Sequence, residues 1–299
     1  MSDVKNVFSI KDLENITGIK AHTIRIWEKR YNVLEPKRTE TNIRYYDLEG
    51  LQKLLNITLL HNHGYKISKI STYDEEKIPF LVKQIITRKS VKHHAISSFK
   101  MAMMNFDQNL FFTTYNELLL EKSFTEVFNE IFIPLMNEIG LLWQTNTISV
   151  AHEHFISHLI KQKLLINIEQ IQCNKPKYND KVFVLFLPMH EIHELGLMYL
   201  NYEVISNGYK SIFLGESVPL ENLKEIKKYF DKIIFVTSLT VQPGKDEING
   251  YIQRINKDVL ADSDNELWLL GRMTSHINDD SLSEKTTVFQ SIAELVNKL

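Results

Sequence analysis

Short apolar runs separated by longer amphipathic stretches dominate the second half of the chain. Such runs are typical of buried parallel strands, and the stretches between them carry apolar residues at helical spacing. We expect a polar linker over 174–180, then strands at 182–187, 211–214, 232–236, 266–270 and 286–289, helices at about 195–206, 220–229 and 245–257, and a final helix. This alternation predicts a Rossmann-like (flavodoxin-like), doubly wound α/β domain over residues 180–299.

Residues 1–75 predict two short helices followed by a hairpin. The first helix is capped by Ser9 and stopped by Gly18, and the second runs over about 21–30. A hairpin with its turn near 40–42 follows Pro36. Helix, turn, helix and hairpin form a winged helix-turn-helix, whose second helix enters the DNA major groove. The candidate DNA-binding residues are His22, Thr23, Arg25, Lys29 and Arg30 on the second helix, and Arg38, Arg44 and Tyr45 on the hairpin.

The charge distribution favours DNA as the partner of this segment. The whole chain has a net charge of -2, but residues 1–70 hold twelve Lys and Arg against eight Asp and Glu, which gives +4 there and -6 elsewhere. The basic excess is therefore local. The alternative is a charged hairpin whose basic side chains are only solvated.

The segment 76–173 predicts a bundle of helices. Apolar residues recur at helical spacing, and Pro79 and Pro134 are its prolines up to residue 170. We expect the core to contain Ala102, Met103, Phe106, Leu110, Phe111 and Tyr115, together with Phe124, Val127, Phe128 and Ile131. Ser149 is predicted to cap the last helix of this segment.

Three histidines near the start of that last helix raise the alternative of a zinc site. A metalloprotease helix needs His-Glu-x-x-His, but the position four residues after His152 is Ile156. His154 and His158 share a helix face and have no third ligand nearby in the sequence. A zinc site is therefore the less favoured interpretation.

His193 follows the first strand of the α/β domain, at the end where open parallel sheets bind ligands. An imidazole is a good ligand for a transition metal when a carboxylate fixes its tautomer, and Glu191 lies two residues away. Gly196 would let a flat group approach the backbone closely. The alternative is a solvated loop histidine.

Two sets of residues resemble known families. The run 23–31, Pro36, Arg38, Thr39, Asn42 and 44–46 closely resembles the winged helix-turn-helix of MerR-family regulators, and 64–70 resembles that family's closing helix. The spacing of Glu191, His193 and Gly196 resembles the cobalamin motif Asp/Glu-x-His-x-x-Gly, in which the histidine binds cobalt from below. The resemblance implies that Gly215, Ser238, Thr240 and Gly271 accommodate the nucleotide tail, although Leu270 replaces a usual glycine and could crowd it.

The segment 76–173 resembles the four-helix cap of the CarH/LitR-type cobalamin-dependent photoreceptors within the MerR family. Trp143 is followed after nine residues by Glu153 and His154. The resemblance implies that Trp143 and Glu153 cover the adenosyl group of adenosylcobalamin, and that His154 binds cobalt once this group has left. The alternative is a core tryptophan and a glutamate that stabilises a helix N-terminus.

Other features of the sequence bear on location and assembly. A single cysteine, Cys173, excludes a disulfide framework, and the sequence contains neither a signal-peptide pattern nor an apolar run that could span a membrane. We expect a cytoplasmic protein. Winged regulators usually bind paired half-sites, which predicts a homo-oligomer, a dimer or tetramer.

The sequence thus predicts a regulator, a repressor, that binds double-stranded DNA and senses light through adenosylcobalamin. No enzymatic activity is expected. The alternatives are a regulator of the same architecture that senses corrinoid without light or has lost the cofactor, and a corrinoid-carrying module of a methyltransferase.

Overall fold

The computed structural model of the protein describes residues 7–74, 77–84 and 91–299. Internal packing divides the chain into two compact units, Met1–Ile160 and Lys161–Leu299. The domain boundary predicted at residues 75 and 76 lies outside the described residues. The three-part division of the chain stays a prediction.

The first unit begins with the expected winged helix-turn-helix. Ser9 caps the first helix in a reciprocal capping box with Asp12, and Gly18 ends it with a φ of 76°. Leu13 of this helix and Ile24 of the second are fully buried. The elements are α1 (Ile10–Thr17), α2 (Ala21–Tyr31), β1 (Lys37–Arg38), β2 (Arg44–Tyr45), α3 (Leu48–Asn62) and α4 (Ile67–Ile70).

Helices make up the rest of the first unit and carry an aromatic core. Phe99 contacts Phe111 and Phe132 with ring centroids 5.0 and 5.4 Å apart. Most of the predicted core residues are buried, whereas Phe106 and Leu110 are half-buried. The helices are α5 (Lys77–Gln84), α6 (Val91–Asn105), α7 (Gln108–Leu119), α8 (Phe124–Val127), a π-helical turn (Phe128–Phe132), α9 (Ile133–Gln144) and α10 (Val150–Gln172). Helix α10 starts directly after Ser149 and continues into the second unit.

A five-stranded parallel sheet forms the centre of the second unit, with strand order β4-β3-β5-β6-β7. Helices cover both faces, as the alternating pattern predicts. The strands are β3 (Tyr178–Phe186), β4 (Tyr209–Gly215), β5 (Ile233–Ser238), β6 (Glu266–Leu270) and β7 (Thr286–Val288). The helices are α11 (Leu195–Ser206), α12 (Leu220–Ile226), α13 (Ile248–Ile255) and α14 (Ile292–Val296).

Strand β3 begins at Tyr178, so the prediction of a polar linker over 174–180 was wrong for its last three residues. Tyr178 pairs with Tyr209 through the backbone, and their rings lie 4.9 Å apart. The side chains of Tyr178, Asn179 and Asp180 are exposed, because this part of the strand precedes the buried core. Exposed polar residues gave no apolar run from which a strand could be predicted.

Candidate functional site

The site lies at the carboxyl ends of the central strands β3 and β5. These strands are neighbours, yet the chain leaves β3 towards β4 on one side and reaches β5 on the other. The loops that follow β3 and β5 therefore diverge, which creates the crevice in which open parallel sheets hold ligands. His193 lies in the first of these loops and Thr240 in the second.

Glu191 connects the two loops. Its Oε1 lies 2.5 Å from Nδ1 of His193 and accepts the backbone N–H of Ile192 and of His193, each at 3.0 Å. Its Oε2 accepts three backbone N–H groups of the loop after β5, from Thr240 at 3.2 Å, Val241 at 2.6 Å and Gln242 at 2.8 Å. Glu191 is completely buried, whereas the His193 side chain is 53% exposed.

The protonation state of this pair follows from its surroundings. Burial raises the pKa of the Glu191 carboxyl, but hydrogen bonds from His193 and from the backbone of Gln242 and Val241 outweigh burial and bring this pKa to about 2. An ionised carboxylate only accepts hydrogen bonds, so Nδ1 of His193 carries the proton. In the neutral form of this ring the lone pair is then on Nε2, the atom that a metal would bind.

This donor set fits the cobalt of a corrinoid. A neutral imidazole with a carboxylate behind it is a nitrogen ligand whose ring orientation is fixed before any metal arrives. Half of the His193 side chain is exposed at the carboxyl edge of the sheet. The sequence identified both residues correctly as a pair in contact, although the spacing gave no sign of the loop after β5.

The loop after β4 also contacts this region. The Ser217 hydroxyl accepts the backbone N–H of His190 at 3.1 Å. Gly215 has a φ of 80°, and its carbonyl accepts the N–H of Leu187 at 2.9 Å. Gly215 thus lies at the carboxyl end of β4, next to the residue that follows β3, and its role towards a nucleotide tail stays a prediction.

The other residues predicted for the tail have clear places in the fold. Ser238 is 7% exposed at the end of β5. The carbonyl of Thr240 accepts a hydrogen bond from Nε of Arg272 at 2.9 Å. Gly271 has a φ of 103°, and a Cβ there would lie 2.5 Å from the carbonyl oxygen of Leu239. The space beside Gly271 is therefore occupied by the backbone of the protein itself.

Gly196 and Leu270 lie on the face of the sheet that α11 and α14 cover. A Cβ on Gly196 would lie 3.6 Å from Cδ1 of Ile292, an ordinary contact, so this glycine faces α14. Leu270 is 5% exposed and packs in the same hydrophobic core as Trp268 and Phe289. Protein side chains thus fill this face next to the end of β6.

The three residues predicted for the cap lie in the first unit at the α9–α10 connection. Trp143 is 51% exposed near the end of α9. Glu153 Oε1 accepts the Ser157 hydroxyl at 2.7 Å, and its Oε2 lies 3.4 Å from Nε2 of His154. The His154 side chain is 72% exposed, which leaves it accessible to an external group.

His152, the third histidine of this helix, is buried instead. Its ring stacks on Phe106 at 4.8 Å, and Nδ1 lies 2.8 Å from the Ser149 hydroxyl. Within residues 7–74, 77–84 and 91–299, no group of three His, Cys, Asp or Glu side chains could hold a metal ion. The described part of the chain also contains no helix with the length and apolar character needed to cross a membrane.

The predicted DNA-binding face of α2 is exposed in the structure. His22, Arg25, Lys29 and Arg30 are exposed and Thr23 is half-buried, whereas Ile24 and Trp27 face the core. The side chains on this face carry positive charge and hydrogen-bond donors, which suit phosphates and base edges.

The hairpin is held to α2 through Glu28, a residue that the sequence did not single out. Glu28 accepts the hydroxyl of Tyr46 and lies 3.8 Å from Nε of Arg44. At the hairpin turn, Arg38 donates to the carbonyl and the side-chain oxygen of Asn42 at 3.2 and 2.7 Å. Glu28 thus fixes the position of Arg44 relative to the second helix, and half-buried Tyr45 lies beside it.

Comparison with known proteins finds matches for two segments of the chain. Residues 8–77 match the family described as MerR HTH family regulatory protein, and residues 95–166 match the family described as B12 binding domain. The HTH-type transcriptional repressor CarH of Myxococcus xanthus is 25% identical over 225 residues, which cover 73% of this chain and 74% of that protein. The repressor CarA of the same organism is 24% identical over 218 residues, 72% of this chain and 70% of CarA.

The fold is also similar to that of a solved corrinoid protein. The monomethylamine corrinoid protein of Methanosarcina barkeri superposes with a TM-score of 0.56 at 16% sequence identity, and the match covers 69% of this chain and 97% of that protein. At this level of identity the similarity concerns the fold alone. The relatives matched by sequence are named as transcriptional repressors and not as enzymes.

Proposed function

We propose that this chain, which is homologous to the CarH and CarA repressors and joins a MerR-type helix-turn-helix region to a B12 binding domain, represses transcription in response to a bound cobalamin. The observation that carries the proposal is the contact between His193 and buried Glu191 at the ligand-binding edge of the sheet. The same chain also carries the exposed basic helix α2. One protein therefore contains both a candidate metal ligand and a candidate DNA-binding surface.

On the DNA side, α2 enters the major groove and the hairpin lies along the backbone. Arg25 and Lys29 of the exposed face contact base edges or phosphates, and Arg44 contacts a phosphate beside the groove. The hydrogen bond between Tyr46 and Glu28 keeps helix and hairpin in the geometry that both contacts require. Paired half-sites would demand at least a dimer of this chain.

The proposed ligand is adenosylcobalamin, which supplies a cobalt–carbon bond that visible light breaks. His193 would bind cobalt through Nε2, and Glu191 would hold the ring in place. Trp143 and Glu153 cover the adenosyl group and exclude water from it. His154, exposed at the start of α10, would supply a second imidazole for cobalt once the adenosyl group has left. Intact adenosylcobalamin and the cofactor left after light would favour two different arrangements of the protein. Light would therefore change the DNA affinity.

A visible spectrum of the purified full-length chain with adenosylcobalamin, taken before and after green light, tests the cofactor. His193→Ala is expected to lose stable binding or to give the spectrum of cobalamin with its own base attached. The matched control is His190→Asn, because His190 has a φ of 66° and asparagine tolerates that conformation. An unchanged spectrum of bound cofactor in His193→Ala would contradict the ligand assignment.

Gel filtration and DNA-shift assays in darkness and in light test the switch. We expect the dark, loaded protein to form the larger assembly and to bind its operator more tightly than the illuminated protein. Identical elution and identical affinity in both conditions, with cofactor bound, would remove light sensing from the proposal and leave a cobalamin-binding regulator.

A light-independent corrinoid sensor is the second candidate, and the packing around Leu270 favours it. The resemblance implies a nucleotide tail near this residue, and Trp268 and Phe289 pack in the same hydrophobic core as Leu270. Cobinamide, which lacks the nucleotide, discriminates between the two. Two results together would support this candidate: binding of cobinamide at least as tight as binding of adenosylcobalamin, and a DNA affinity of the adenosylcobalamin complex that does not change on illumination.

A further inference from the structure

Two polar contacts join the first helix of the DNA-binding region to the helical bundle within the first unit. The side-chain amide of Asn15 on α1 donates to the Thr147 hydroxyl at 3.0 Å. The ammonium group of Lys100 on α6 donates to the backbone carbonyl of Ile16 at 3.2 Å and forms an ion pair with Glu138 on α9. Helix α1 is thus connected to two helices of the bundle and to the loop after α9.

Lys100 and Thr147 are buried, so these contacts lie inside the first unit and not on its surface. Lys100 is 8% exposed and Thr147 is fully buried. A lysine is seldom buried unless its charge is paired, since an unpaired ammonium group inside a protein is costly. Ile16 provides one of the last carbonyls of α1, which have no partner within that helix and attract a cation. Separation of α1 from the bundle would leave both groups without these partners.

Thr147 in turn belongs to a network that holds the end of α9. Its hydroxyl lies 2.9 Å from that of Thr145, which donates to the carbonyls of Leu141 at 2.9 Å and Leu142 at 3.1 Å. In the same turn, the N–H of Asn146 donates to the carbonyl of Trp143 at 2.9 Å. One short loop therefore carries both the attachment to α1 and the turn that presents Trp143.

We infer that Asn15, Lys100 and Thr147 are positioning residues. They transmit a displacement of the end of α9 to the DNA-binding helices α1 and α2. Helix α1 packs directly on α2, so a displacement of α9 at Trp143 would reorient the recognition helix through α1. This inference rests on the proposed function for its signal, which is the state of the ligand at Trp143. It adds a specific mechanical connection to a two-state switch.

The first measurement is hydrogen exchange on the full-length chain without ligand. Lys100→Met keeps the apolar stem but removes the charge, and Thr147→Val keeps the shape but removes the hydroxyl. Both are expected to raise amide exchange in residues 10–17 by about tenfold, since the helix loses its anchoring contacts. Lys122→Met is the matched control, because Lys122 also pairs with a glutamate, Glu130, within the same helical region. Exchange at the wild-type rate in both variants would overturn the inference.

The second measurement separates coupling from a merely structural role. Operator duplexes are first selected from a random DNA library with the wild-type chain, and their affinity is measured with adenosylcobalamin in darkness and after light. The ratio of the two affinities is expected to fall at least about fivefold in Lys100→Met and in Asn15→Ala, and to stay within about twofold in Lys122→Met. Cofactor titration by absorbance should be the same in all four proteins.

The outcomes distinguish this inference from the proposed function. Wild-type coupling in Lys100→Met and Asn15→Ala would overturn the inference and leave the function intact. A wild-type chain that binds no DNA would contradict the function, and the exchange rates of α1 would still decide whether the bundle holds this helix.

Discussion

Oε1 of Glu191 lies 2.5 Å from Nδ1 of His193, while Oε2 of the same carboxylate accepts three N–H groups from a loop about fifty residues further along the chain. One side chain therefore serves both as the partner of a metal ligand and as the link between the loops after β3 and β5. Because these contacts lie within the protein, the orientation of the imidazole is set before a ligand binds.

Glu191→Gln is expected to weaken cobalamin binding by about 10- to 100-fold, because a neutral amide holds the imidazole less firmly and lowers its basicity. Absorbance titration with adenosylcobalamin in the dark measures this change. Glu194→Gln serves as the control, since Glu194 lies next to His193 and pairs with Lys161. Equal losses of cobalamin affinity in the two variants would contradict a specific role of Glu191, because any negative charge near the loop would then support binding equally well.

Arg25→Ala and Arg44→Ala are each expected to weaken operator binding by about 1–3 kcal/mol, because each removes a contact to DNA. Fluorescence anisotropy at several salt concentrations measures this, and a lost phosphate contact also makes the salt dependence less steep. Arg254→Ala removes a comparable surface arginine from the second unit, where Arg254 lies 3.4 Å from Glu221. Wild-type affinity in both Arg25→Ala and Arg44→Ala would refute the assigned DNA-binding face.

His154→Ala is expected to leave the stability of the protein within about 0.5 kcal/mol of wild type, since this side chain is largely exposed. The loaded variant should still respond to light, but its spectrum should lack the signature of a second imidazole on cobalt. His158→Ala is a close control, one turn further along α10 and also exposed. If the spectrum of illuminated His154→Ala still shows a second imidazole on cobalt, a residue other than His154 provides that ligand.

Gly271→Ala is expected to lower the free energy of unfolding by about 3 kcal/mol or more, because its φ of 103° suits glycine and a Cβ would collide with the Leu239 backbone. Urea unfolding followed by tryptophan fluorescence measures the change. Gly250→Ala is the opposite case, since this glycine lies inside α13 with open space around its Cβ position. It should raise stability by about 0.5–1 kcal/mol.

The periodic parts of the fold were predictable because burial on both faces of a parallel strand leaves a continuous apolar run. Helix α11 matches its predicted bounds, and β6 does likewise. Strand β5 extends two residues beyond the prediction, through Thr237 and Ser238, which are buried polar residues at the carboxyl edge. Sequence patterns identify where apolar residues pack, and they fail where the backbone pairs without apolar side chains.

The candidate site was predictable as a short motif and unpredictable as a set of contacts. The spacing of Glu191 and His193 along the chain is enough to place one beside the other. The N–H groups of Val241 and Gln242 leave no trace in the sequence, because any residue but proline can donate from its backbone. Lys100 was missed for a related reason, since a lysine in an amphipathic helix is expected on the solvated side.

The double role of Glu191 has a consequence for how descendants of such a protein would change. A lineage that stopped using the cofactor would still need this carboxylate, because its removal would take the acceptor from three backbone N–H groups of the loop after β5. His193 would be replaced first, because its side chain is 53% exposed and Glu191 is completely buried. In a survey of such chains, retention of the glutamate would report only an intact scaffold, and retention of the histidine beside it would mark those that still bind a corrinoid.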